Sequence, residues 1–177
     1  MKTYIALLRG INVGGHKKVP MAELRELLTE SGLDDVRTYI QTGNVIFQSK
    51  EFDAKIVEHK IKKSILDHFG FDVFVLVRTR EQLQKIFDFC PFPEEKKVES
   101  YFAILSEPPK ESLVYEAYEK TYDNEEYKIL NDCIYFYCAT GYGKAKFNLN
   151  HFEKKLKVSA TARNYKTMVK LLSLLQN

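Results

Sequence analysis

The stretch VRTYIQTGNVIFQS, residues 36–49, decides the fold prediction. Two runs rich in β-branched and aromatic residues flank the tetrapeptide Gln41-Thr42-Gly43-Asn44. Gly and Asn are typical of tight turns because both tolerate backbone conformations that other residues avoid. The stretch therefore predicts a β-hairpin, with strands over residues 36–40 and 45–49.

Outward from the hairpin, helical and strand patterns alternate. Pro20 suits the start of the helix before the hairpin, and Gly32 and Gly70 suit the ends of the helices on its two sides. The apolar spacing predicts helices over residues 21–31 and 52–69 and strands over residues 3–8 and 73–77. The order β-α-β-β-α-β is the ferredoxin-like arrangement.

The second half repeats this alternation less regularly. Thr79 and Gln82 form a capping box ahead of a helix, and CPFPEEKK (90–97) is the best candidate boundary region. Strands are predicted over residues 101–106, 127–130 and 133–137, and helices from Pro109, over about 148–156 and over about 162–175. The fold class is predicted to be α+β, with two linked ferredoxin-like subdomains, residues 1–78 and 79–177, and antiparallel or mixed sheets. The two halves could also form one compact unit, and no repeat is readable residue by residue.

Composition limits the functional classes. Apolar residues make up 45% of the 177 residues, charged residues 29%, and the net charge is +3. This is ordinary globular usage, and the charge is too small to indicate nucleic-acid binding by itself. The first apolar run is too short for a signal peptide, and no run approaches the roughly 20 apolar residues of a membrane helix. We therefore expect a cytoplasmic protein with no membrane partner, in which the three cysteines are reduced.

A candidate ligand site lies at one edge of the first predicted sheet. In the ferredoxin-like topology the loop after the first strand, residues 9–18, emerges beside the turn of the hairpin. The loop carries a guanidinium, lysines and glycines, which suit a carboxylate or a phosphate. The candidate binding residues are Arg9, Asn12, Gly14, Gly15, Gln41, Gly43 and Asn44. The alternative is scaffolding, in which the glycines only turn the chain, Arg9 braces the sheet edge and Asn44 caps the hairpin.

A second candidate site lies near the C-terminus. Residues 161–164 are predicted to open the last helix, where exposed amide donors favour an anion, so Arg163 and Asn164 are further candidates. The alternative is that Thr161 is an ordinary N-cap and Arg163 pairs with a carboxylate. The sequence leaves open whether Arg9 and Arg163 share one cleft.

Catalytic and metal chemistry are not indicated. His59 and His68 are nine residues apart on one predicted helix and face opposite ways, so they cannot chelate one metal. The spacing matches no zinc motif, Ser-His-Asp triad, P-loop or dinucleotide fingerprint. The sequence therefore predicts no metal and no cofactor, and it leaves open whether the protein is an enzyme.

Three motifs carry a family resemblance: LRGINVGG (8–15), TYIQTGNVIF (38–47) and TARNYKT (161–167). They resemble, in order, those of the bacterial domain of unknown function 1697 family. The departures are Thr42, where many relatives have Ser, and Tyr165, where many have Trp. The resemblance implies two linked ferredoxin-like subdomains but no established activity. Its signature residues include the polar ones already singled out, namely Arg9, Asn12, Gln41, Asn44, Arg163 and Asn164.

The leading functional hypothesis is binding of a small anionic ligand that bears phosphate or carboxylate groups. One alternative is an enzyme of unknown reaction on such a ligand. Another is an RNA- or DNA-binding module that stacks bases on Tyr4 and Phe47, which lie on the first and third strands. A protein-interaction module is the fourth possibility, and the sequence predicts no oligomeric state.

Overall fold

The computed structural model describes residues 1–175. The strands are β1 (Lys2–Arg9), β2 (Asp34–Tyr39), β3 (Asn44–Ser49), β4 (Phe74–Arg78), β5 (Tyr101–Leu105), β6 (Glu125–Leu130), β7 (Cys133–Cys138) and β8 (Ala160–Asn164). The helices are α1 (Met21–Glu30), α2 (Ala54–Phe69), α3 (Arg80–Asp88), α4 (Glu94–Lys97), α5 (Glu111–Ala117), α6 (Leu149–Leu156) and α7 (Tyr165–Leu174), with a 3-10 turn at Tyr142–Lys144. Within residues 1–175 no helix is both long enough and apolar enough to cross a membrane.

The eight strands form two four-stranded sheets of the same topology. The strand order is β2-β3-β1-β4 in the first sheet and β6-β7-β5-β8 in the second, and all neighbouring strands are antiparallel. With α1 and α2, and with α5 and α6, each sheet completes a β-α-β-β-α-β unit. The α+β prediction of two linked ferredoxin-like subdomains is confirmed. One compact unit comprises residues 1–83 and the segment from residue 171, and the other comprises residues 84–170.

The first unit is organised around β1. Tyr4, Ala6 and Leu8 belong to the apolar cluster that also contains the buried faces of α1 and α2. Ile5 and Leu7, which alternate with them and point to the opposite face of the sheet, are fully buried as well. β1 is thus a central strand with apolar side chains on both faces, which explains its uninterrupted run of apolar residues.

The second unit has an aromatic core. The ring of Phe147 stacks on Phe136 and Phe152, with centroids 4.3 and 4.8 Å apart, and Tyr127 meets Phe152 edge-on at 4.8 Å. The hydroxyl of Tyr127 donates to the carbonyl oxygens of Ala117 (2.8 Å) and Lys120 (2.6 Å). This phenol therefore ties the end of α5 and the chain after it to the core.

The prediction of a helix from about residue 162 is wrong. Residues 160–164 form β8, which pairs with β5 from Ala160 opposite Leu105 to Asn164 opposite Tyr101. The helix begins only at Tyr165, and it is Asn164, not Thr161, that caps it, since its Oδ1 accepts from Thr167 N at 2.9 Å. In β8 the backbone N–H and C=O groups bond to β5 instead of forming helical hydrogen bonds. This pairing is between segments distant in the chain, so local propensity cannot reveal it.

The predicted capping box at α3 is confirmed. Thr79 N donates to Gln82 Oε1 (2.9 Å) and Gln82 N donates to Thr79 Oγ1 (3.3 Å). The two bonds satisfy backbone donors that a helix start would otherwise leave unpaired.

Gly43 provides a test of the packing between the hairpin and β1. Its φ is +91°, and a Cβ there would lie 2.6 Å from Leu8 Cβ and 3.0 Å from Ile11 Cδ1. We expect Gly43→Ala to lower the free energy of unfolding by roughly 2–4 kcal/mol, from backbone strain and overpacking together. Gly15 is the matched control, because its φ is +77° but a Cβ there would meet nothing within 4 Å. Chemical denaturation measures the stability of both variants. An equal loss in Gly15→Ala and Gly43→Ala would contradict the packing argument.

We expect the free energy of unfolding to fall at alkaline pH because of Tyr127. Burial, with the neighbouring Tyr122 and Tyr118, raises the pKa of Tyr127 to about 12. The unfolded chain loses this proton near the ordinary tyrosine pKa of about 10. The contribution of Tyr127 is therefore complete below about pH 10 and is lost as the pH rises towards 12. We expect Tyr127→Phe to flatten the fall in unfolding free energy over this interval, measured by urea denaturation. Tyr115→Phe, at a tyrosine that is 79% exposed, should leave the slope unchanged; equal slopes in both variants would refute the assignment.

Candidate functional site

The loop after β1 and the turn after β2 lie side by side, as the topology predicts. Leu8 N donates to Gly43 O at 2.7 Å, and Asn12 Nδ2 donates to Gln41 O at 2.8 Å. The first seven candidate residues therefore gather at one edge of the first sheet.

Asn12 holds the loop in shape. Its Oδ1 accepts from Val19 N (2.8 Å), and its Nδ2 donates to Val19 O (3.0 Å) as well as to Gln41 O. Its own backbone N–H donates to Lys17 O at 3.1 Å, with φ at +54°. Both amide hydrogens of Asn12 are thus used on backbone, so this side chain closes the loop and joins it to the turn.

Gly43 and Asn44 fix the hairpin. Asn44 is fully buried, and its Nδ2 donates to Tyr39 O (3.0 Å) and to Thr42 Oγ1 (3.3 Å). These bonds close the turn from inside, while the missing side chain of Gly43 lets it approach β1.

Gly14 and Gly15 form the tip of the loop. His16 N donates to Val13 O at 3.0 Å, and the two glycines between them have φ of +59° and +77°. Two consecutive positive φ values are typical of a type I′ turn, which favours Gly-Gly. The pair therefore has a local structural reason, and both glycines remain exposed.

A cleft opens between the loop and the turn. We call it the loop–turn cleft; its volume is about 360 Å³ and it is lined by Asn12, Gly15, Lys18, Val19, Pro20, Met21 and Gln41. Helix α1 begins at this cleft, and Pro20 is its N-cap residue. Among residues 1–175 no side chain forms a capping hydrogen bond at this helix start. Its first backbone N–H groups lack intrahelical partners, as at any helix start, and carry partial positive charge.

Within residues 1–175, Lys18 is the one charged side chain that lines the loop–turn cleft. Lys18 is exposed and forms no ion pair with residues 1–175. Lys17 is used elsewhere, since its Nζ donates to Asp72 O at 2.5 Å. The carboxylate in the first turn of α1, Glu23, lies 2.6 Å from His68 Nε2. Arg9, half-buried at the end of β1, adds positive charge at this edge.

Arg163 and Asn164 belong to the second unit. Arg163 is buried in β8, and its Nη1 donates to Thr161 Oγ1 (2.9 Å) and to Ala162 O (2.8 Å). Burial lowers the pKa of Arg163 to about 10, so the guanidinium remains charged at neutral pH. Asn164 acts as the N-cap of α7.

Sequence reasoning predicted two similar subdomains but missed a residue-level correspondence between them that involves Arg163. Arg78 pairs with Ile5 of β1 in the same register in which Arg163 pairs with Phe102 of β5. Each arginine is buried, and each Nη1 donates to the preceding carbonyl, at 3.0 Å for Arg78 and 2.8 Å for Arg163. Each is followed by a helix N-cap, Thr79 or Asn164. The signal was present as Val77-Arg78-Thr79 and Ala162-Arg163-Asn164, but the strand assignment of β8 was needed to align them.

Tyr4 and Phe47 do not offer a stacking surface for bases. Their rings lie 5.9 Å apart in the helix-facing core, and the two residues are 1% and 0% exposed. The side chains that alternate with them on β1 are aliphatic and buried too. Both aromatic residues thus serve packing.

Two of the three thiols, those of Cys90 and Cys133, are poor candidates for nucleophiles. Burial raises the pKa of Cys90 and, more strongly, that of Cys133. Both thiols therefore remain protonated at neutral pH, and the thiolate is the reactive form. Among residues 1–175 no group of three or more His, Cys, Asp or Glu side chains is placed to hold a metal ion.

The comparisons with known proteins agree with this architecture. The conserved bacterial protein SP0830 from Streptococcus pneumoniae is similar over 98% of both chains, with 26% identity and a TM-score of 0.72. No curated protein matches the chain. A family model described as "Protein of unknown function (DUF1697)" matches residues 1–135. The chain therefore belongs to the DUF1697 family.

Proposed function

We propose that this protein binds a small anionic ligand, bearing phosphate or carboxylate groups, in the loop–turn cleft. The observation that carries the proposal is the start of α1 in a cleft that also contains Lys18 and Gly15. Backbone N–H groups at a helix start and a lysine ammonium are complementary to an anion and repel a cation.

Each lining group has a role that its chemistry supports. Lys18 supplies charge to the anion, and the exposed Gln41 side chain can donate to or accept from the remainder of the ligand. Gly15 has no side chain to obstruct the cleft, so a ligand can approach the backbone closely. Arg9 and Gly14 contribute from the same sheet edge, the first by long-range positive charge and the second by shaping the loop tip.

The other candidates at this edge support the cleft indirectly. The side-chain amides of Asn12 and Asn44 donate to backbone carbonyls, and Gly43 allows the turn to lie close to β1. These residues keep the loop and the turn at a fixed separation. A preformed site reduces the entropy that is lost when a ligand binds.

The residues that line the loop–turn cleft favour binding over catalysis. The lining of the loop–turn cleft includes no Asp, Glu, His, Cys or Ser among the described residues. Those side chains supply most general bases and nucleophiles; lysine is another, and we assign the one lysine of the lining, Lys18, to holding charge. The cleft is therefore equipped to hold an anion rather than to activate an attacking group.

The test is a titration of the purified protein with inorganic phosphate and with citrate, followed by amide NMR and calorimetry. We expect shifts of the Gly14 and Gly15 amide resonances, and about tenfold weaker binding in Lys18→Ala, the loss expected for one charge-assisted hydrogen bond. Lys50→Ala is the matched control, since it removes the same charge at the opposite end of β3. The proposal fails if neither anion shifts these glycines, or if Lys18→Ala binds as tightly as Lys50→Ala.

A further inference from the structure

Two neighbouring connections are longer in the second unit than in the first. In the first unit, α1 is joined to β2 by residues 31–33, and β3 to α2 by residues 50–53. The corresponding connections of the second unit are residues 118–124 and 139–148. The fold is complete without this additional chain, and connections are where proteins of one fold differ in function.

The two longer connections meet at the same end of the second sheet. Glu125, the first residue of β6, is paired with Cys138, the last residue of β7. The carboxylate of Glu125 accepts from the backbone N–H groups of Lys146 and Phe147, the latter at 2.9 Å. The chain before α6 is thus fixed against the start of β6.

Between these connections lies a cleft, which we call the second-unit cleft. Its volume is about 570 Å³, and it is lined by Lys120, Thr121, Tyr122, Asp123, Lys146, Asn148 and His151. It is larger than the loop–turn cleft, and its volume lies within the range of about 300–1,000 Å³ of small-molecule sites. A single inorganic ion would leave most of this space to water.

The basic side chains of the second-unit cleft form no ion pairs with the described residues. Lys120, Lys146 and His151 form no ion pair with any carboxylate of residues 1–175. The Nζ of Lys120 lies 5.3 Å from the centroid of the Tyr122 ring, a cation–π contact that restrains the side chain. Two ammonium groups and an imidazole therefore remain available to an anionic group.

The wall beneath these groups is packed. Tyr122 meets Tyr127 edge-on, with ring centroids 6.1 Å apart, and contacts Phe147 at 6.4 Å. Asn148 caps α6, since its Oδ1 accepts from His151 N at 3.2 Å. Tyr122 is therefore held by the aromatic core and Asn148 by the start of α6, while the lysines and Asp123 are exposed at the surface of the cleft.

The presence of Asp123 in the lining restricts the class of ligand that fits the second-unit cleft. A carboxylate repels a phosphate but accepts hydrogen bonds from hydroxyl groups, and Thr121 can donate to or accept from the same kind of group. A lining with cations and one acceptor carboxylate suits a molecule with both a phosphate and several hydroxyls. We infer that the second-unit cleft binds a phosphate ester of a polyhydroxylated molecule, either a sugar phosphate or the ribose phosphate of a nucleotide.

The experiment compares four probes by calorimetry and amide NMR: ribose 5-phosphate, AMP, ribose and inorganic phosphate. We expect ribose 5-phosphate or AMP to bind at least tenfold tighter than either ribose or phosphate, with shifts of the Tyr122 and Lys146 amide resonances, whose residues line the cleft. Tighter binding of AMP would identify a nucleotide, and tighter binding of ribose 5-phosphate a sugar phosphate; each supports the inference.

Variants separate this site from the loop–turn cleft. We expect Lys146→Ala and Lys120→Ala each to weaken ribose 5-phosphate binding about tenfold, and Asp123→Ala to reduce its advantage over inorganic phosphate. Lys144→Ala is the control, because Lys144 lies in the same connection but does not line the cleft. Lys18→Ala should leave this binding unchanged, so either site can fail alone. The inference is overturned if no ester binds, if Lys146→Ala binds as tightly as Lys144→Ala, or if the shifts appear at Gly14 and Gly15 instead.

Discussion

The close approach of Gly43 to β1 is the constraint on which the first unit depends. Leu8 N donates to Gly43 O at 2.7 Å, and no Cβ could fit between Gly43 and the side chains of Leu8 and Ile11. This contact fixes the turn of the hairpin against the point where β1 becomes a loop. Asn12 then joins the loop to Gln41, and the loop–turn cleft forms beside that contact. The geometry of the proposed anion site therefore follows from a backbone contact that only glycine permits.

The two units use one topology for different surfaces. The strand order is the same, and the ends of β4 and β8 share a buried arginine and a helix N-cap. The connections differ, and each cleft lies where its unit has additional loop: residues 10–20 in the first unit, and the connections before β6 and before α6 in the second. Framework residues thus repeat while the clefts do not, as expected when core packing restricts the strands and solvent-exposed loops are less restricted.

Sequence reasoning succeeded where local pattern and topology agreed. The 36–49 hairpin, the helices beside it and the capping box at Thr79 are specified by neighbouring residues, and the loop–turn contact followed from the strand order. It failed at β8, because Ala160–Asn164 reads locally as the approach to a helix and becomes a strand only by pairing with β5, more than fifty residues away in the chain. The second-unit cleft could not be predicted, since the extra length of its connections is visible only after the two units are aligned strand by strand.

The motif residues coincide only in part with the lining of the loop–turn cleft, which contains Asn12, Gly15 and Gln41 but neither Asn44 nor Asn164. Asn12, Asn44 and Asn164, which carry the family resemblance, use their side chains on backbone groups of the loop, the hairpin and α7. A polar residue used in this way specifies a backbone shape, and the side-chain atom that makes the bond is not available to a ligand. The two proposed sites assign the anion instead to groups that this shape exposes, Lys18 in the first unit and Lys146 in the second. Motif resemblance identifies the fold of this family, whereas the proposed ligand specificity rests on the exposed lysines of the connecting loops.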